Sequence, residues 1–184
     1  LPGLDEHATP LETVADALEI RERTLAVCEE GGRIVVGGAG LSGVQVAGEL
    51  AELADEEGAA DRVEVVVVEQ LRDVAPGFPR AFQDAIHDEL TAREVRVRTG
   101  RTVTGATEDR VETEDGPIEY DQLVWTGGIQ GPAALAGDRP RVRATLRLGD
   151  GTFVLGDAAR IVDRDGSAVP ASAQAAIREA RVAA

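Results

Sequence analysis

The chain has 184 residues, room for one domain or one and a half, and 43% of them are hydrophobic. That is enough for a packed core and excludes intrinsic disorder and collagen-like repeats, while no apolar run is long enough to span a bilayer. With 34 acidic and 19 basic residues the net charge is −15, which argues against nucleic acid or an anionic membrane surface as partner.

The sequence contains no Met and begins at Leu1, so it reads as a piece of a longer protein. Every basic residue is Arg. An acidic, Lys-free surface suits either a salt-loving cell, where surface carboxylates stay hydrated, or an ordinary acidic protein from a GC-rich genome. Cys28 stands alone, so no internal disulfide forms, and near a helix end with apolar neighbours Ala26 and Val27 it reads as a small hydrophobe. Two His and one Cys do not make a structural zinc site, and no metal is expected. No secretory signal is visible.

Residues 1–9 read as loop. Thr9-Pro10-Leu11-Glu12 has the form of a helix start, and Leu11, Val14, Leu18 and Leu25 recur at helical spacing up to about Glu30, where Gly31-Gly32 stops the helix. Arg33–Val36 is a short β-branched strand. A glycine-rich turn, Gly37 to Gly43, follows, then a helix from Val44 to about Glu57 with Val46, Leu50 and Leu53 on one face. Arg62–Glu69 holds four consecutive valines, the mark of a strand buried on both faces in a parallel sheet. Strand, helix, strand over this length is a βαβ unit. Pro76–Pro79 is a loop, 80–92 a helix and 95–98 a third strand. Between Arg101 and Tyr120 the period becomes two, with turns at Glu108-Asp109 and Asp115-Gly116-Pro117, which predicts a three-stranded β-meander. Leu123–Trp125 is a strand closed by Gly127-Gly128. Residues 129–150 read as irregular, 152–155 as a strand ending at Gly156-Asp157, and 171 onward as a final helix.

Gly38-Ala39-Gly40-Leu41-Ser42-Gly43 fits G-x-G-x-x-G, and its context, a strand before it and a helix after it, makes it a dinucleotide-binding candidate. Gly38 permits the tight turn, Gly40 lets the backbone approach a pyrophosphate, and Gly43 lets the helix pack closely on the strand. The N–H groups of Leu41, Ser42 and Gly43 at the helix tip, with the dipole behind them, then face the phosphates. Glu69 closes the next strand, where a carboxylate can accept from both hydroxyls of the adenosine ribose and repel a 2′-phosphate; this favours NADH over NADPH. Arg72 is the counter-signal, since it can serve a phosphate. Gly156-Asp157 ends a strand and can bind a polyol hydroxyl; on that dipeptide alone an ordinary turn is the better explanation. Neither His7 nor His87 has a visible catalytic partner, Trp125 reads as strand packing and Phe78 as either an adenine cover or a loop anchor.

Taken in order, Leu1–Ala8, Gly37–Leu50, Asp121–Gly128, Thr152–Ala159 and Pro170–Ala180 resemble segments of the pyridine nucleotide-disulfide reductase superfamily, and within it the type II, non-proton-pumping NADH dehydrogenases. The resemblance implies a Rossmann-like α/β fold in three layers: β-meander, parallel sheet and helices. It implies a connection from the flavin domain at 1–9, an NADH-binding domain at 10–127 and the C-terminal part of an FAD-binding domain at 128–184. By the same resemblance Asp157 holds FAD, the helix tip around Ala173 and Gln174 faces the flavin's pyrimidine edge, and Gly127 and Gly128 leave room for NADH against the flavin. Hydride passes from NADH to FAD and on to a quinone or another acceptor, so no side chain is named as catalytic. The partner is the rest of the flavin domain; the complete protein is expected to be cytoplasmic, at the inner face of the cell membrane, and dimeric. The piece is expected to bind NADH, hold FAD poorly and turn over nothing alone. Two residues depart from the pattern: Gln45 stands where Glu is frequent, and Arg178 where the quinone-associated pattern has Gln. These leave open a ferredoxin-type reductase, or a nucleotide-binding module without catalysis.

Overall fold

A computed structural model describes residues 1–128, 139–149, 151–166, 168–169 and 171–184. The chain forms two compact units, Leu1–Gly127 and Gly128–Ala184. In the first, the elements run α1 (Leu4–His7), β1 (Thr9–Pro10), α2 (Val14–Glu30), β2 (Gly32–Gly37), α3 (Leu41–Glu56), β3 (Val63–Glu69), α4 (Arg80–Ala92), β4 (Arg96–Thr99), β5 (Val103–Ala106), β6 (Arg110–Thr113), β7 (Ile118–Glu119) and β8 (Gln122–Trp125). A parallel five-stranded sheet is ordered β1-β8-β2-β3-β4, and β5-β6-β7 form a separate antiparallel meander.

Three layers follow from the alternation of side chains along the central strands. Ile34 and Val36 of β2 and Val65 and Val67 of β3 pack with Ile20 and Val27 of α2, Val46, Ala47 and Leu50 of α3 and Leu90 of α4. The residues between them, Val35, Val66 and Val68, face the meander and meet Val103, Val111 and Ile118. The unbroken valine run is thus explained: each face of the sheet has its own apolar cover, so no position of β3 between 65 and 68 is left for a polar residue.

Thr9-Pro10 is no helix start; it is an edge strand paired with Val124-Trp125. Proline is tolerated at such an edge. Helix α2 begins at Val14 instead, where Thr13 and Asp16 form a reciprocal capping box. The Thr13 hydrogen bonds hold the Asp16 carboxyl below its usual range. Val14 and Leu18 are exposed, and the buried face of α2 is Ile20, Thr24, Val27 and Cys28. Apolar packing of Ile20 and Val27 is joined on that face by a polar contact: the buried Gln122 side chain donates to Ile20 O at 2.9 Å, and the Thr24 hydroxyl donates to Gln122 Oε1 at 2.9 Å. Residues 1–9 are not all loop, since α1 lies within them and β1 begins at Thr9.

Cys28 is buried among Ala54, Ala59 and Val63. Burial, with the nearby Glu57 charge adding, pushes its thiol pKa up. Reaction needs a thiolate and access, and the fold withholds both. Iodoacetamide should therefore label Cys28 at least about a hundredfold more slowly in the folded chain than in denaturant, the ratio expected if labelling waits on an opening that costs about 3 kcal/mol. Equal rates would mean that this corner is not closed.

The second unit contains β9 (Arg141–Arg143), β10 (Arg147–Gly149), β11 (Thr152–Phe153), a 3-10 turn (Gly156–Ala158), β12 (Arg160–Val162) and α5 (Ala173–Ala183). β9 and β12 pair in parallel, β10 and β11 antiparallel. A small core of Val142, Leu146, Val154, Ala159 and Ile161 joins them. The stretch read as irregular thus carries β9 and β10, while 129–138 and 150 lie outside the described residues. The strand read at 152–155 is limited to Thr152-Phe153, and α5 begins at Ala173 with the Ser172 hydroxyl accepting from Ala175 N–H at 3.2 Å.

Candidate functional site

β2 runs buried from Ile34 to Gly37 and hands the chain to a turn pinned on three sides. Gly38 N–H donates to Val68 O of β3 at 2.8 Å. The Thr126 hydroxyl, just past β8, donates to Gly37 O at 3.0 Å and lies 3.2 Å from Gly38 O. Ala75 N–H, in the loop after β3, donates to Ala39 O at 2.7 Å. The glycines fall where the turn requires them. Gly38 has φ of 99°, in the left-handed region. A Cβ on Gly43 would fall inside the carbonyl oxygen of Gly38, so only glycine lets α3 come this close to the turn.

Gly40 is different. Its backbone, φ −66° and ψ −179°, is open to any residue, and a Cβ there would have nothing within 4 Å. Gly40 is the N-cap of α3, no side chain caps the helix, and its first turn holds no acidic residue. The N–H groups of Leu41, Ser42 and Gly43 therefore reach the helix tip without an acceptor one turn back, at the positive end of a 16-residue helix. That is a place for an anion.

Glu69 ends β3 beside this tip and is only 7% exposed. Its Oε2 accepts from Ala39 N–H at 2.7 Å, and its Oε1 from Leu71 N–H at 2.8 Å. The carboxylate is thus aimed at the turn. Each oxygen has one further lone-pair position, so two hydroxyl donors can be accepted in addition. Sequence reasoning named Glu69 but missed that it also clasps the turn, and missed Thr126 altogether; a Thr between Trp125 and Gly127 was the available signal. Arg72 is exposed in the loop that follows β3 and lines a groove of about 410 Å³ with Arg80, Gln83, His87 and Thr99. Arg80 is engaged there by Asp73 at 2.6 Å and Asp84 at 2.9 Å. Phe78 pairs with Phe82, ring centroids 5.2 Å apart.

Gly127 does not stand in open space. A Cβ there would lie 2.7 Å from Cζ2 of the Trp125 indole, so its small size serves that ring. Gly128, with φ of 102°, has open space around it. In the second unit Asp157 sits exposed in the 3-10 turn, its carbonyl accepting from Arg139 Nε at 2.7 Å. Gln174 is exposed in the first turn of α5. The α5 helix is fastened to that turn through Gly156 N–H, which donates to Glu179 Oε2 at 2.7 Å. Gln45 lies exposed on α3 in a groove with Gly48, Glu52, Ile86 and Arg93, and Arg178 is exposed on α5. Among the described residues no group of His, Cys, Asp or Glu side chains is arranged to hold a metal ion.

A family model for pyridine nucleotide-disulphide oxidoreductases matches residues 1–180. The chain belongs to that family. Among curated proteins similar to it, demethylphylloquinone reductase NdbB from Synechocystis is 27% identical over 97% of this chain and 47% of its own length. The type II NADH:quinone oxidoreductase of Haemophilus influenzae is 28% identical over 82% of this chain and 38% of its own length. The chain therefore spans less than half of these relatives. In fold it is similar to NDH2 from Plasmodium falciparum in complex with NADH, with a TM-score of 0.71, 19% identity and coverage of 89% of this chain and 42% of the other. It is likewise similar to a persulfide reductase from A. fulgidus, with a TM-score of 0.74, 23% identity and coverage of 100% and 35%.

Proposed function

We propose that residues 10–127 are the NADH-binding domain of a flavin-dependent NADH dehydrogenase, that 1–9 lead in from its flavin domain, and that 128–184 are the C-terminal part of that domain. The observation that carries this is the Glu69 carboxylate held against the turn by Ala39 N–H, next to the uncovered tip of α3 at Gly40. A pyrophosphate at the tip would meet the N–H groups of Leu41, Ser42 and Gly43, and the adenosine ribose would give its two hydroxyls to Glu69. Relatives named for NADH and quinone support the direction of the chemistry. Gly128 would leave space on the nicotinamide side.

FAD, when bound, supplies the hydride-accepting ring. The residues of the second unit fit part of it. Asp157 presents a free carboxylate to a polyol, and the first turn of α5, at Ala173 and Gln174, presents N–H groups and a positive helix end to the edge of the ring where negative charge builds. The acceptor in this reading is a quinone, an apolar molecule of the bilayer. No described helix is long and apolar enough to cross a membrane.

Calorimetric titration of the chain with NADH and with NADPH tests the coenzyme assignment. NADH should bind at least about tenfold more tightly, because a 2′-phosphate beside Glu69 sets like charges together and removes one donor. Equal affinities would transfer the site to Arg72 and overturn the ribose role of Glu69.

A further inference from the structure

The charge of this protein is divided unevenly. Residues 1–127 hold 28 acidic residues and 11 Arg, whereas 128–184 hold 6 acidic residues and 8 Arg. The first segment is therefore at −17 and the second at +2. Within the second unit two arginines are spent on structure: Arg139 donates to Asp157 O and Ala159 O at 2.7 and 2.8 Å, and Arg147 lies 5.1 Å over the Phe153 ring. Arg141, Arg143 and Arg164 are not spent. They line one groove of about 660 Å³ together with Ala144, Thr145 and Val162. Among the described residues none of the three is in an ion pair, although 34 carboxylates are available in the chain.

We propose that this groove binds a phosphate group. It opens where β9 and β12, a parallel pair with Arg143 beside Val162, both end and turn away. Crevices beyond the carboxyl ends of parallel strands are a recurrent place for ligands, because the chain diverges there and leaves a hollow. The one carboxylate in the lining, Asp163, accepts from Asp165 N–H at 2.9 Å within its own loop. Three guanidiniums and one carboxylate leave a charge of +2, which a phosphate dianion neutralises. Guanidinium forks match the oxygens of a phosphate in pairs, and a concave lining suits a compact tetrahedral group better than a flat protein surface. The groove is argued apart from the coenzyme reading, since its lining shares no residue with the Gly38–Gly43 turn, Glu69, Asp157, Ala173 or Gln174.

A phosphate can come from a soluble molecule or from a phospholipid headgroup, and two arms separate these. In the first, inorganic pyrophosphate is titrated into the full chain, wild type and R143Q/R164Q, with and without saturating NADH. The double variant should bind pyrophosphate about a hundredfold more weakly, near tenfold for each charge-assisted contact removed. NADH should neither compete with the wild-type site nor lose affinity in the variant. R143K, which keeps the charge and loses the fork, should fall between. In the second arm, the chain is sedimented with phosphatidylglycerol vesicles and with neutral phosphatidylcholine vesicles. Pyrophosphate binding without sedimentation assigns a soluble ligand; sedimentation with anionic vesicles alone, reversed by pyrophosphate, assigns a headgroup. All three arginines are exposed, and unchanged melting temperatures would show that the variants are folded. The proposal fails if wild type and R143Q/R164Q behave alike, if NADH displaces all the pyrophosphate, or if neither probe binds.

Discussion

Gly40→Val should leave the chain folded and remove its affinity for NADH. The backbone at Gly40 suits any residue and a Cβ there meets nothing, so the melting temperature should move by no more than about 2 °C, the size expected of a change worth a few tenths of a kcal/mol. The isopropyl group, however, would stand on the helix tip where the pyrophosphate has to lie. Losing contacts to three N–H groups should weaken binding by about a hundredfold or more. Thermal melting and calorimetric titration on the same preparation check both halves. Gly43 is the useful contrast, since a side chain there overlaps Gly38 O and should damage the fold itself. If Gly40→Val bound NADH normally, the coenzyme would not cross this turn.

Glu69→Ala should lower both stability and affinity. Ala39 is fully buried, and its N–H would lose its acceptor, as would that of Leu71. An unpaired buried donor costs about 1–3 kcal/mol. With roughly 2–4 °C lost per kcal/mol in a chain of this size, a fall of at least about 4 °C is expected. NADH affinity should drop by about tenfold to a hundredfold, and the preference over NADPH should vanish with the charge. Glu69→Gln keeps one acceptor and turns an NH₂ group toward the other backbone donor, so it should fall between wild type and Glu69→Ala in both measurements. A variant that lost affinity with no change in melting temperature would show that the clasp on Ala39 is dispensable and that only the ribose contact counts.

Much of the first unit is readable from local pattern. Val65–Val68 declares a strand covered on both faces, Arg80–Ala92 matches its helix end to end, and the turns at Glu108-Asp109 and Asp115–Pro117 mark the meander. What was misread depends on partners remote in sequence. Thr9-Pro10 becomes a strand only because Val124 and Trp125 lie beside it. Val14 and Leu18 keep helical spacing yet face solvent, because Ile20 and Val27, together with the buried Gln122 amide, turn the other side of α2 inward. Arg141-Val142-Arg143 does alternate and Arg160-Ile161-Val162 does not, and three residues are too few to announce a strand among so many arginines. At the candidate site, the spacing of Gly38, Gly40 and Gly43 was legible. That Gly40 alone opens onto free space, and that Glu69 grips the turn, needed coordinates.

The strand order also bears on how this chain comes to fold. β8 is inserted between β1 and β2, and it is the last strand of the sheet to leave the ribosome. Until Gln122–Trp125 emerge, β1 has no neighbour, and the inner edge of β2, with Val35 and Val36, offers open backbone to any passing strand. Maturation of the sheet is therefore postponed to the end of synthesis of this unit. A nascent chain stalled just short of residue 122 should depend on chaperones far more than one released a few residues later.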